Sequence, residues 1–113
     1  MKRGTVVLTP FPFTDFSGTK VRPAVVVSAS DRPGEDVIIA FVSSIRPPAL
    51  LPTDLLIETS RPAFSESGLK VASVVKCDKL ATVQCRIVLG ELGALSPILL
   101  AELNVRLRAA LGL

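Results

Sequence analysis

"RPAVVVSASDRPGEDVIIAFVSS", Arg22 to Ser44, holds two runs rich in β-branched residues on either side of the turn cluster Asp31–Glu35. "DRPGE" supplies a proline, a glycine and polar residues that reverse a chain, so the two runs are expected to pair as an antiparallel hairpin. Both runs are nearly continuously apolar. An antiparallel sheet with one wet face alternates apolar and polar residues. Apolar side chains on both faces therefore require a barrel closed on itself or a face covered by a partner chain.

On the amino-terminal side, "TVVLTP" (Thr5 to Pro10) reads as a strand entered after Gly4 and stopped by proline, which cannot donate to a ladder. "PFPFTDFSGTK" then carries two prolines, a glycine and polar turn residues, and reads as a loop despite Phe11, Phe13 and Phe16. A loop of this length in a small domain is usually functional or disordered, and three phenylalanines make it too apolar for simple disorder. It is expected to fold over the mouth of the sheet.

On the carboxy-terminal side, "TDLLIE" (Thr53 to Glu58) reads as a fourth strand, "LKVASVVKCDKLATV" contains a fifth and "CRIVLGEL" a further one. The end of the chain, "LSPILLAELNVRLRAALGL", reads as an amphipathic helix. Ser96 is its N-cap, Pro97 its first residue and Gly112 its stop, with Leu99, Leu103, Leu107 and Leu111 four apart on one face. Glu102 and Arg106 lie four apart on the other side and are expected to pair. Together these elements predict one domain over residues 1–113, mainly β: a small SH3-like half-open barrel of five to seven strands with a C-terminal α-helix.

Composition limits the chemistry. The 113 residues include no histidine, which removes the commonest metal ligand and the commonest proton shuttle at neutral pH. Cys77 and Cys85 are too few for a disulfide scaffold and lack the paired spacing of a zinc site. No cofactor and no metal are expected. No apolar run reaches the roughly 18 residues of a membrane span, and Pro10 and Pro12 interrupt the short apolar start, so a cytoplasmic protein without a signal peptide is expected. The formal charge of +3 favours anionic partners. Its asymmetry is local: up to Arg22, the cations Lys2, Arg3, Lys20 and Arg22 face Asp15 alone.

Three stretches could carry chemistry. Arg22 precedes Pro23, and the residue before proline is pushed to an extended conformation, which holds the guanidinium at a strand mouth where its fork suits a phosphate. Read without function, it is a surface arginine in a basic loop. "AFVSSIRPP" ends the third strand in Ser43 and Ser44, followed by Arg46; the hydroxyls either satisfy frayed backbone groups or donate beside Arg22. "VVKCDK" sends Lys76 and Asp78 to one side of a regular strand and Cys77 to the other, either as a salt-bridged strand end or as a carboxylate beside a cation.

With "RGTVVLTPFPF", "GTKVRPAVVVS", "IIAFVSS", "ESGLKVASVVKCDKLATV" and the terminal helix taken together, nearly the whole chain resembles the PemK/MazF-like toxins (Kid/CcdB superfamily) of bacterial type II toxin–antitoxin systems. "GTKVRP" and "VVKCDKLATV" are the most specific parts. The resemblance implies a homodimeric, metal-independent endoribonuclease, an mRNA interferase that cuts single-stranded mRNA and is neutralised by an acidic antitoxin. It places the family's arginine on Arg22, its strand-end threonine on Ser43, and its catalytic cation and aspartate on Lys76 and Asp78. RNA contacts are expected from Phe11, Phe13, Lys20, Ser44, Arg46 and Lys79. Ser43 departs from the family's threonine, Lys79 from its usual glutamine and Ala81 from its usual arginine, and the last two bear on base specificity and catalytic strength. Two other classes compete: a catalytically weak relative that binds RNA or antitoxin, and a protein-binding β-barrel adaptor. Convergence of Arg22, Ser43 and Asp78 in one cleft is the feature that separates them.

Overall fold

The expected hairpin sits at the centre of one six-stranded sheet. In the computed structural model, which describes residues 1–10 and 20–113, the strands are β1 (Thr5–Pro10), β2 (Val21–Val26), β3 (Asp36–Ser43), β4 (Asp54–Ile57), β5 (Ser73–Gln84) and β6 (Gly90–Ala94), and helix α1 (Pro97–Leu111) follows. The order across the sheet is β4-β5-β3-β2-β1-β6, with every neighbouring pair antiparallel. The result is an antiparallel half-barrel with one C-terminal helix. The loop read over the mouth of the sheet, with Phe11, Phe13 and Phe16, lies outside the described residues.

Both faces of the central strands are buried within the chain. Successive strand residues point to opposite faces, so Val6, Val25, Ala40, Val42 and Val75 pack on one side with Leu99 and Leu103 of α1, while Val7, Ala24, Val26, Ile39 and Phe41 pack on the other with Val37 and Val83. Leu99 and Leu103 are fully buried, and each contributes about 1.5–3 kcal/mol of hydrophobic stabilisation. The second cluster closes because the far half of β5 lies over it, bringing Val83 with Ala81, Cys85 and Val88. The continuous apolar runs are thus explained by closure of the sheet and its helix.

The helix carries the expected caps. Ser96 accepts a hydrogen bond from the Leu99 N–H, Pro97 opens the helix, and Gly112 sits at φ +71°. The Leu stripe fades along its length, for Leu107 is half-buried and Leu111 exposed. The expected Glu102–Arg106 pair does not form. Glu102 accepts instead from Arg61, and Arg106 donates to the Pro52 carbonyl at 3.2 Å. Tertiary partners outcompete a helix-surface pair that is worth only about 0.2–0.5 kcal/mol.

Two irregularities interrupt the regular pairing. In the β3–β5 ladder Ala40 pairs with Leu80 but Phe41 with Lys76, so Cys77, Asp78 and Lys79 form a bulge. The expected regular alternation from Lys76 to Asp78 is broken there. After β5, Cys85–Ile87 make a 3₁₀ turn, not the expected start of a strand, and β6 begins only at Gly90. Cys85 N–H donates to Glu35 at 2.7 Å and Leu89 N–H to Leu8 at 2.8 Å, which carries the chain across to β1.

The 3₁₀ turn Ser65–Ser67 presses on β6 backbone to backbone. A Cβ on Gly93 would stand 2.2 Å from the Glu66 carbonyl oxygen, and one on Gly68, at φ +73°, would stand 2.0 Å from that of Leu92. Only glycine fits at either place. That contact holds Gly68, Leu69 and Lys70 beside Leu92 at the mouth of the half-barrel.

Candidate active site

A cleft of about 540 Å³ opens at this mouth. Leu8, Phe41 and Val42 lie at its apolar base; β2 contributes Arg22 and Pro23, and β3 ends in it with Ser43 and Ser44. Lys76 enters from β5 and Lys79 from the bulge, while Lys70 and Val71 form part of the wall beyond the Ser65–Ser67 turn. Among the described lining residues, Arg22, Lys70, Lys76 and Lys79 are cationic and none is acidic. Positive charge gathered against apolar walls favours a polyanion.

Arg22 stands opposite Thr9 in the β1–β2 ladder, at the entrance of β2. It is exposed and, among the described residues, its guanidinium reaches only the neighbouring Val21 carbonyl, at 3.4 Å. Among the described residues no carboxylate engages its fork. The Ser43 hydroxyl accepts from Ile45 N–H at 3.1 Å, closing the strand end as the plainer reading of the two serines anticipated, and it faces the same cleft. Its O–H contact to the Ile45 carbonyl is 3.5 Å, long enough to be exchanged for a better acceptor.

Lys76 differs from the other cations. Its ammonium lies 2.7 Å from Asp54 on β4, and the two residues face each other in the β4–β5 ladder. Burial pushes the Asp54 carboxyl up, but the Lys76 hydrogen bond, the Leu51 N–H and the charges of Lys76 and Arg106 outweigh it and hold the group below its ordinary value. Cys77, fully buried beside this pair, is pushed up to about 11 by burial and by the charges of Asp78 and Asp54, Arg106 opposing. A thiol so raised stays protonated at neutral pH and is no nucleophile.

Several expected residues stand apart from the cleft. Asp78 is exposed on the bulge and does not line it, so Arg22 and Ser43 share a cleft that Asp78 does not join. The bulge is the physical reason, because it ends the alternation that was to set Asp78 beside Lys76. Arg46 turns to Glu58 at 3.1 Å, and exposed Lys20 is outside the described lining. Ser44 and Lys79 line the cleft; Phe11 and Phe13 lie outside the described residues.

Two functional candidates went unread in the sequence. Lys70 sits in what reads as the approach to a strand, and its position depends on the Gly68–Leu92 backbone contact. Asp54 offered a faint signal, a carboxylate opening the otherwise apolar "DLLI" run, which demands a cation once buried.

A six-stranded antiparallel half-barrel with one C-terminal helix and a cation-lined cleft at its mouth is the class that these features define. The chain belongs to the PemK-like, MazF-like toxins of type II toxin–antitoxin systems, whose family model matches residues 2–111. No curated protein matches it by sequence. Among solved structures it is similar to an endoribonuclease in complex with its cognate antitoxin from a mycobacterial species, at 23% identity and TM-score 0.76 over 100% of this chain and 96% of that one. It is also similar to the Mycobacterium tuberculosis toxin MazF-mt6, at 18% identity and TM-score 0.75 over 96% of this chain and 97% of that one. The MazE–MazF complex (Form-III) from Deinococcus radiodurans is 24% identical with TM-score 0.73, over 100% of this chain and 97% of that one. At these identities the likeness establishes the fold.

Proposed function

We propose that the protein is a sequence-specific endoribonuclease toxin that cleaves single-stranded mRNA without a metal ion. The observation that carries the reading is Arg22 and Ser43 sharing a cleft whose described lining holds four cations and no carboxylate. Such a wall attracts a phosphodiester and repels a divalent cation, which seeks several oxygen ligands. An RNA 2′-OH would attack the adjacent phosphorus: the 2′-O–P bond forms, the P–O5′ bond breaks, the 2′ proton leaves to a base and a proton is returned to the 5′ oxygen. The products are a 2′,3′-cyclic phosphate and a 5′-OH.

Arg22 would hold the phosphoryl oxygens as charge gathers on them, and Ser43 would donate to the same group. Lys76, a donor fixed in the cleft wall, is the residue that we assign to protonating the leaving oxygen. Asp78, as base, would have to act from outside the described lining, and its place there is the observation that favours the second reading, a relative that binds RNA or antitoxin with weak catalysis. One experiment separates the two. Purified protein is incubated with a long single-stranded RNA in EDTA and the new ends are mapped. Discrete cuts with cyclic phosphate ends support the nuclease; binding without cuts supports the second reading.

The same cleft would meet the acidic tail of a cognate antitoxin, so antitoxin and RNA should compete and binding should weaken as salt rises. We further propose a homodimer in the cytoplasm. Its contact surface is not the strand faces, which the chain buries itself, but the apolar stretch leading into β6, where Leu89 and Leu92 are exposed. Among the described residues no helix is long and apolar enough to cross a membrane. Light scattering at micromolar concentration checks the dimer, and a monomer there would contradict it.

A further inference from the structure

Resting on the reading that this cleft acts on RNA, we propose that Asp54 is a positioning residue: its buried carboxylate holds the Lys76 ammonium as an oriented, charge-compensated donor, and leaves Arg22, Lys70 and Lys79 to supply the cleft's net positive charge.

The geometry is specific. The Asp54 side chain is fully buried and that of Lys76 is 17% exposed, so the pair lies between the hydrophobic core and the cleft. One carboxylate oxygen meets the ammonium at 2.7 Å, and the other accepts the Leu51 N–H at 2.9 Å, which fixes the carboxylate's rotation. Arg106 of α1 adds a second positive charge that acts on Asp54 and is itself tied to the Pro52 carbonyl at 3.2 Å. The carboxylate is thus held from the β3–β4 connection, from β5 and from α1. The contact to Asp54 is an ion pair at 2.7 Å, and an ammonium has three N–H donors with which Lys76 can meet a ligand in the cleft that it lines.

The other cleft cations are built differently. Arg22, Lys70 and Lys79 are exposed and make no ion pair among the described residues. Exposed cations of this kind can follow a phosphate chain and release counterions when they meet it. Lys76, anchored and neutralised, suits a step that depends on placement, where a shift of about 1 Å can cost about 10²-fold. A salt bridge that merely tied β4 to β5 would not make these two groups of cations behave differently.

The test uses Asp54→Asn, Lys79→Ala and the double variant Asp54→Asn/Lys76→Gln, the last keeping a neutral hydrogen-bonding pair should Asp54→Asn fold poorly. Cleavage of a single-stranded RNA gives kcat and KM, and titration with an all-deoxy oligonucleotide over a salt series gives affinity without chemistry. Asp54→Asn should lower kcat by about 10²-fold. At the same time the freed Lys76 charge should tighten oligonucleotide binding and steepen the slope of log affinity against log salt by about 0.7, as expected for one more uncompensated cation on a single strand. Lys79→Ala should move the binding the other way, with the slope reduced by about the same amount. The double variant should return to the wild-type slope while kcat stays low.

Nitrogen-detected NMR of the lysine ammonium groups reads the anchoring without RNA: Lys76 should give a slowly exchanging signal that Asp54→Asn loses, and Lys70 and Lys79 should give none. If the wild-type protein cuts no RNA, the nuclease reading fails while the NMR measurement still decides the anchoring. An Asp54→Asn protein with unchanged kcat and slope, or one whose binding and turnover fall in parallel, overturns the proposal. So does a Lys76 ammonium that exchanges as fast as Lys79.

Discussion

Arg22 has two properties that rarely coincide, an entrance into a buried strand and a guanidinium with no acidic partner among the described residues. Arg22→Ala should therefore separate stability from activity. Loss of one charge-stabilising donor costs about 10²–10³ in kcat, or about 2.7–4 kcal/mol, while an exposed substitution should change stability by no more than about 0.5 kcal/mol. Cleavage rate and urea midpoint, measured on one preparation, check both halves; wild-type cleavage would remove Arg22 from the site. Asp54 gives the opposite profile. Its carboxyl is held below the ordinary 3.8 in the folded protein, so its stabilisation is fully present above that value and is lost as pH falls through the folded value. Urea midpoints of wild type and Asp54→Asn should differ by a constant amount from neutral pH down to about 4 and then converge. A gap that widened in acid would contradict the shift. The place of Arg22 at a strand entrance could be read from Arg-Pro alone because the proline constrains its neighbour. Asp54 gave only the faint signal of a carboxylate opening an apolar run, because its partner lies 22 residues away in sequence.

The helix and the central hairpin were legible because their signals are local. Ser96, Pro97 and Gly112 act within one turn of the helix ends, and "DRPGE" reverses the chain where it stands. The bulge at Cys77–Lys79 was not legible. Nothing in "VVKCDKL" breaks a strand; the bulge is visible only in the pairing of β5 with β3. It moved Asp78 out of the expected site and left Lys79 in the cleft. The far wall has the same character, since Lys70 is placed by a turn that packs on β6. Gly93→Ala should push that turn away, because its Cβ would meet the Glu66 carbonyl at 2.2 Å and neither backbone can yield cheaply. The expected cost is about 1–3 kcal/mol in stability, with weaker oligonucleotide binding as Lys70 leaves the cleft. A variant with wild-type stability and binding would show that this contact does not hold the wall.

Apolar runs on both sheet faces posed a choice between closure and a partner, and the chain resolves it by closing: α1 covers one face and the far half of β5 the other. The six-stranded half-barrel could be anticipated for that reason, since a single sheet of this length has few other ways to hide two apolar faces. What the described residues form at the mouth is a cationic cleft, and the reaction assigned to that cleft depends on the RNA 2′-OH. The most direct test is a short RNA carrying a single 2′-deoxy nucleotide at the mapped cleavage position, digested in EDTA beside the all-ribose strand. If the 2′-OH is the nucleophile, the all-ribose strand is cut to a 2′,3′-cyclic phosphate and a 5′-OH while the substituted strand stays intact at that position. Cleavage of the substituted strand at the same place and rate would contradict the mechanism.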